Sequence, residues 1–512
     1  MSSTRVFFPD QLEISAKSLK VLRISVSNAF RIPFKQLPLV IYHAFILSSI
    51  VAGFWLLDSL KDPVIARIIG MEYQPIAKVI SVLATFIVTV AYDFLTSKLS
   101  KTDLFHVVSA FYGISFMIIS AILADPEMGL ASSKLRGPER LVGWLAYVLV
   151  ESYGSLMVAL FWSFTNSIMN LEEAKGAYGL IIAVAQIGAI SGSTMATHAE
   201  TIGISQLFLY GAMGVFVVSL QMKVYCILFR KAIDSDFGTI NSAFNDQDNS
   251  PGQRIVGIAS DTTFSTSNAT PSPALFANMS EGFLLVVRNR YMLMVLGVSC
   301  LYEVVVTVLD YHFKILAAHA SEQPGAVREG VQAGLFEDQF ANLLGHFGQA
   351  TNLFSFFVSF FGFSFLVHRV GVRFSLMIFP TVLFAAVVTT NLLPNLKVLF
   401  VAVSIVKALV FSLHDPVKEL LYIPTSVQMK FKAKAWIDVF GSRLAKALGS
   451  LVSFVSRGDA QTLRTISEVP CLAISVGVMV IAYVVGTEFQ SLVDRGTNQS
   501  RRTVTGSSGP EA

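Results

Sequence analysis

An all-α integral membrane protein, with about twelve spanning helices in two halves of six, is the fold class this sequence predicts. Three observations predict it. The 512 residues are 53% hydrophobic and 14% charged, with 41 Phe and a mean hydropathy of +0.62. Soluble domains carry about 25% charged residues, because a folded surface needs polar cover; most of this chain's surface therefore faces lipid. Apolar runs of about 20 residues, long enough to cross a bilayer, recur along it. They fall into two sets on either side of a long polar stretch.

The elements follow in order. Residues 1–38 form an N-terminal segment that mixes Arg5, Lys17, Lys20, Arg23, Arg31 and Lys35 with Asp10 and Glu13. A secretory signal would put its apolar core near Met1, and a transit peptide would be poor in acids. The first half, 39–229, holds runs at 39–57, 76–95, 104–124, 141–164, 177–196 and 206–229. Residues 230–283 read as a linker rich in Ser, Asn, Asp, Thr and Gly and broken by Pro251, Pro271 and Pro273. The second half, 284–489, holds runs at 284–309, 345–367, 374–393, 396–414, 434–456 and 470–488, and 490–512 is a tail. Six runs, a linker and six runs is a major-facilitator-like layout.

Lys and Arg gather in the N-terminal segment, at the linker ends (Arg230, Lys231, Arg254, Arg288, Arg290), around Arg369 and Arg373, at Lys430, Lys432 and Lys434, and in the tail (Arg495, Arg501, Arg502). The 196–205 loop holds none. This bias predicts a cytoplasmic N-terminus, linker and C-terminus. His368-Arg369-Val370-Gly371-Val372-Arg373 resembles the short basic turn that major-facilitator proteins place after the second helix of each half; an ordinary basic turn is the alternative. The sequons at Asn268, Asn278 and Asn498 lie on the predicted cytoplasmic side and read as chance.

Composition and missing motifs exclude several functions. The net charge is +4 with no long basic run, which argues against nucleic acid as a partner. Cys226, Cys300 and Cys471 sit in apolar runs without metal-ligand spacing and read as small core residues. The sequence has no Gly-Lys dipeptide, so it has no Walker A loop, and it has no Gly-x-Ser-x-Gly elbow. The sequence gives no sign of a metal, a cofactor or an enzyme. A transporter of this kind draws on a gradient or on exchange of one solute for another.

Charges inside the apolar runs carry the functional argument, because each costs about 2.5–3.5 kcal/mol near the bilayer centre. Lys61 lies in Asp58-Ser59-Leu60-Lys61-Asp62-Pro63, where Pro63 would end or kink the first helix. Lys61 would bind phosphate; a snorkelling interface lysine is the alternative. Glu151 is seven residues past Trp144, too deep for so short a side chain to snorkel; a structural carboxylate is its alternative role. Glu303 and Asp310 are seven apart and share a helix face, which should line a polar cavity unless Lys314 neutralises Asp310. Asp415-Pro416 reads as the cap and first turn of a new short helix ending before Pro424, with Lys418 at an anion-attracting N-terminus. An interfacial amphipathic turn is the alternative. Arg443 and Lys446 are three apart and share a face among small residues. Several buried cations without a metal cluster suit a polyanion such as a phosphate ester.

Together these stretches resemble the ATP/ADP translocase (nucleotide transporter) family of plastids and obligate intracellular bacteria. The resemblance rests on Leu60-Lys61-Asp62 with Lys78, on the helix from Glu151 through Gly154, Phe161-Trp162 and Asn166, on Asp310-Tyr311-His312-Phe313-Lys314, and on the stretch from Ser412 through Pro424, continuing to Arg443. It implies a major-facilitator-like fold and nucleotide transport. It maps the family's four transport-critical charges onto Lys61, Glu151, Asp310 and Lys418. Asp310 stands where the family usually has Glu, and Ala445-Lys446-Ala447-Leu448-Gly449 keeps little of the family's glycine-rich stretch.

The expected function is secondary transport of nucleotides, with ATP/ADP exchange foremost. Lys61, Lys418, Arg443 and Lys446 would hold phosphates; Glu151 and Asp310 would balance charge or couple protons; Lys78, Asn166, Glu303 and Lys314 are lesser candidates. Proton-coupled import of other nucleotides, NAD or another organic phosphate is the alternative, and a transport-dead scaffold or sensor is the alternative of another class. A monomer in the bacterial inner membrane is expected, the plastid inner envelope being the other placement.

Overall fold

A computed structural model describes residues 36–96, 98–132, 136–168, 171–229, 283–322, 335–359, 366, 369–422, 424, 425, 429 and 433–506. The linker from 230 to 282, with Asn268 and Asn278, lies outside them, as do His368, Lys430, Lys432 and most of the N-terminal segment. So do the side chains of Asn166 and Asn498.

Twelve long helices make up the described residues. The first six are α1 (Leu37–Ile68), α2 (Gln74–Thr96), α3 (Lys101–Ala124), α4 (Leu141–Ile168), α5 (Leu171–Ala196) and α6 (Ile204–Leu228). After the linker come α7 (Arg290–Glu322), α8 (Leu335–Phe357), α9 (Val372–Leu392), α10 (Leu396–Leu420), α11 (from Lys434 to Val455) and α12 (Ala460–Gly506). Ten are long and apolar enough to cross a membrane. α8 and α11 fall short because polar residues interrupt them, among them Glu337, Asp338 and Gln349 in α8 and Asp438, Arg443 and Lys446 in α11.

Each set of six packs on its own core. Leu57, Phe105, Tyr112, Tyr153 and Phe208 lie in the first, and Val305, Phe313, Phe379, Val417 and Val485 in the second. α1 is the hub of the first half and packs on α4, α5 and α6; α7 is the hub of the second and packs on α10, α11 and α12. Small residues permit the closest approach. A Cβ on Gly188 would lie 2.2 Å from the Ser48 carbonyl oxygen, and one on Gly192 2.0 Å from that of Ala52, so only glycine lets α5 lie against α1.

The halves meet most firmly at the end that carries the α1–α2 and α7–α8 connections. Arg67 pairs with Glu337 at 3.1 Å and Arg136 with Glu322 at 2.9 Å. Tyr311 donates to the Met71 carbonyl, Asn342 to Glu200 and Gln349 to Thr194. Gly70, with φ of 127°, turns the chain out of α1 there, a backbone open to glycine and strained for other residues.

Two local expectations are corrected. Of the two effects expected of Pro63, it does not end α1, which continues to Ile68; membrane helices tolerate an internal proline when neighbours satisfy the freed carbonyl. Asp415 does not cap a new helix. α10 runs through it as Leu396–Leu409, a π segment Val410–His414 and Asp415–Leu420, and His414 already has helical φ and ψ of −65° and −51°. The π turn next to Pro416 absorbs the donor and the space that proline lacks. No free helix N-terminus is therefore presented to an anion at that point. The helix α12 also runs on to Gly506, well into the segment read as a tail.

Candidate functional site

Two charged clusters lie between the helices. The first spans both halves. On α1, Lys61 is buried and bonds to Asp58 on its own helix and to Glu151 of α4 at 2.5 Å, with its ammonium 5.1 Å from the Tyr147 ring. At the next position, Asp62 accepts from Gln74 at 3.1 Å, and Gln74 also donates to the Tyr147 hydroxyl. Asp62 then crosses to the other half, to Lys314 of α7 at 2.8 Å. Lys314 bonds to Asp310 at 2.9 Å, one turn earlier. Asp310 also takes Lys407 of α10 at 2.5 Å and lies 3.9 Å from Lys78 of α2.

Four lysines (Lys61, Lys78, Lys314, Lys407) thus face four carboxylates (Asp58, Asp62, Glu151, Asp310) in one chain of contacts. Buried charges of this kind persist only when paired, since an isolated ion out of water costs several kcal/mol. The sequence explains why they meet here. α1 and α7 are the long central helices, and these positions lie well past the midpoint of each, at the seam between halves.

The second cluster belongs to the second half and is more open. Lys418 of α10 pairs with Asp415 at 3.0 Å and lies 3.9 Å from Asp438 of α11. Lys434 bridges Glu419 at 3.2 Å and Asp438 at 3.4 Å. Further along α11, Lys446 pairs with Glu303 of α7 at 3.4 Å, and Ser442 donates to the same carboxylate. Both α10 and α11 carry a π segment beside this cluster, Val410–His414 and Ile437–Gly441. π turns often mark functional positions, because they re-aim side chains.

Arg443 stands apart. It is half-buried, and no ion pair or hydrogen bond to a described residue engages it. Glu151, in the other half, is the acid within its electrostatic reach. It is a cation of the seam with capacity to spare.

The predicted residues therefore sort as follows. Lys61, Glu151, Asp310, Lys78 and Lys314 come together in the first cluster; Lys418, Lys446 and Glu303 lie in the second, and Arg443 lies between. Glu303 and Asp310 share α7 but not a partner. The expected neutralisation of Asp310 by Lys314 is present, together with bonds to two further lysines. Lys407 was missed, although a lysine deep inside the apolar run 396–414, ten residues past Lys397 at its start, was itself the signal. Gln74 and Tyr147, which tie Asp62 to the rest, had no signal beyond being polar residues in spans.

Comparison with known proteins decides what kind of machine this is. The profile of the TLC ATP/ADP transporter family matches residues 20–490. The chain belongs to that family. Within it, ADP,ATP carrier protein 1 of Chlamydia muridarum (strain MoPn / Nigg) is 24% identical over 430 residues, covering 75% of this chain and 74% of its own. ADP,ATP carrier protein 4 of Rickettsia typhi (strain ATCC VR-144 / Wilmington) is 22% identical over 445 residues, covering 77% of this chain and 79% of its own. Among solved structures, a POT family transporter in complex with 5-aminolevulinic acid matches with a TM-score of 0.56 and 9% identity, over 86% of this chain and 96% of its own. A mutant of the nucleoside transporter NupG matches with a TM-score of 0.55 and 13% identity, over 89% of this chain and 99% of its own. These likenesses establish the all-α, major-facilitator-like fold of this TLC-family chain.

Proposed function

We propose that this chain exchanges ATP and ADP across a bacterial membrane, as a monomer in the lipid bilayer. The observation that carries the reading is the set of cations between the helices of a TLC-family fold: Lys61 from the first half, and Arg443, Lys418 and Lys446 from the second. Phosphates are the anions such a set suits, because lysine and arginine make charge-assisted hydrogen bonds to them. Glu151 and Asp310 neutralise lysines while the site is empty and release them when phosphate arrives. Alternation of the seam between its two ends then carries the nucleotide across. The clustering of the inter-half ion pairs at the α1–α2 end fits one closed state of that cycle.

The test is uptake of labelled ATP into proteoliposomes preloaded with ADP, against empty ones. Uptake that needs internal ADP supports exchange. Equal uptake without ADP would replace exchange by net import, and a proton gradient would be varied next. No uptake of ATP in either would overturn the nucleotide assignment.

A further inference from the structure

Asp310 has more lysines than a structural carboxylate needs. One ammonium neutralises one carboxylate, yet Lys407 lies 2.5 Å, Lys314 2.9 Å and Lys78 3.9 Å from its two oxygens. Lys314 is shared with Asp62 at 2.8 Å. Three cations therefore meet two anions in this part of the seam. The opposite imbalance lies next to it, where Lys61 alone meets Asp58 and Glu151, so the chain of contacts is balanced as a whole but polarised, with its surplus of cations gathered at Asp310. The lysines also differ. Lys314 is held by two acids and its side chain is 9% exposed. Lys407 and Lys78 each have Asp310 as the acid within 4 Å, and remain 23% and 17% exposed. Lys407 rests its ammonium 5.1 Å from the Phe347 ring of α8, a contact that leaves its other donors free. The helices that bring these groups together are α2 from the first half and α7 and α10 from the second.

We propose that Asp310 is a built-in stand-in for a phosphate group, and that Lys407 and Lys78 are phosphate-binding residues which it occupies until a nucleotide displaces it. A phosphate oxygen and a carboxylate oxygen accept the same hydrogen bonds from ammonium groups. A phosphate also brings more negative charge than the single carboxylate, which the excess cation of the cradle accommodates. Lys314 stays with Asp62 and keeps Asp310 from being left unpaired when it swings away. The proposal deepens the nucleotide reading above and rests on it.

The test is equilibrium binding of ATP, ADP, AMP and adenosine to purified, full-length protein in detergent, with uptake measured in parallel. Lys407→Gln should weaken ATP and ADP binding by about ten- to a hundredfold, the range for losing a charged hydrogen bond, and leave adenosine binding unchanged. Lys407→Arg should restore most of the affinity. Asp310→Asn should bind ATP more tightly than wild type, because the competitor is gone, while its uptake falls. A purely structural ion pair predicts the opposite for Asp310→Asn: a lower unfolding temperature with no gain in affinity. Unfolding temperature without nucleotide is read for every variant, so that misfolding is not mistaken for lost binding. If wild type binds ATP but Lys407→Gln binds it equally well, this inference falls and the nucleotide reading stands. If wild type binds none of the four ligands, both fall.

Discussion

The two charged clusters differ in how they are closed, and the difference separates two jobs. In the first, Lys61, Asp62, Asp310 and Lys314 are buried; Asp62–Lys314 and Lys78–Asp310 cross from one half to the other, while Lys61 pairs within the first half with Asp58 and Glu151. In the second, Glu419, Asp415 and Lys446 are each more than a third exposed, and all the pairs lie within the second half. A buried pair that joins the halves is strong and must break for the halves to part. An exposed pair within one half is weak, can be opened by an arriving anion, and does not oppose motion. On the function proposed above, displacement of the first cluster's acids by phosphate would couple occupancy to conformation, and the second cluster would add weaker cations that open without parting the halves.

The largest effect that would break this contrast is at Lys61. Lys61→Ala leaves Glu151 and Asp58 facing each other without their cation, and removing one partner of a buried pair costs about 3–5 kcal/mol. ATP uptake at equal reconstituted protein should fall by more than about a hundredfold. Uptake at the wild-type rate would end the assignment of this lysine. Next in size is the coupling between Asp62 and Lys314. A double-mutant cycle with Asp62→Asn and Lys314→Gln, read by unfolding temperature and by uptake, should give a coupling of about 0.5–3 kcal/mol. Additive effects would mean that the halves are not tied at this point.

Much of this was legible in the sequence. The spans were visible because lipid demands about 20 apolar residues per crossing, and the charges within them stood out against that background. Lys61, Glu151, Asp310 and Lys418 could be marked because each lies in or just beyond such a run and falls in a stretch that resembles a family motif. Lys314, one turn from Asp310 on the same helix, could be named as its partner; partners on other helices could not. That Asp62 pairs with Lys314, and Asp310 with Lys407, depends on how α1 lies against α7 and α10, and hydropathy carries no such register. The Asp415-Pro416 pair misled because the same two residues that cap a helix also suit a π turn inside one. What distinguishes the cases is packing around His414, wedged between Tyr302 and Phe379 with ring centroids at 4.7 and 4.4 Å.

A smaller effect sharpens the other side of the contrast. Lys434 is a third exposed and bridges two acids of its own half. Lys434→Gln should change the KM for ATP by less than about fivefold, in line with the 0–1 kcal/mol of exposed pairs. That change should shrink further at high salt, because exposed charges are screened over about 10 Å at 0.1 M. A loss as deep as that of Lys61→Ala would make the second cluster as tightly coupled as the first, and the division of labour would fail.

The smallest effect lies at the closed end itself, in the α11–α12 connection. Asp459 is exposed and outside the spanning stretches, and its carboxylate accepts from the Thr462 N–H at 2.7 Å as it starts α12. Those hydrogen bonds hold its pKa below the ordinary carboxylate value. The sign follows from linkage. A group more acidic in the folded state contributes stability above its unfolded pKa, about 4, and loses that contribution as pH falls through the folded value. Asp459→Asn keeps a capping oxygen and removes the titration. The gap in unfolding temperature between wild type and variant should therefore be small, present at about pH 6, and narrow as the pH is taken down to about 3. A gap that stays constant over that range would show that the charge of Asp459 does nothing for this end. The closed state would then rest on Arg67–Glu337 and the other ion pairs between the halves.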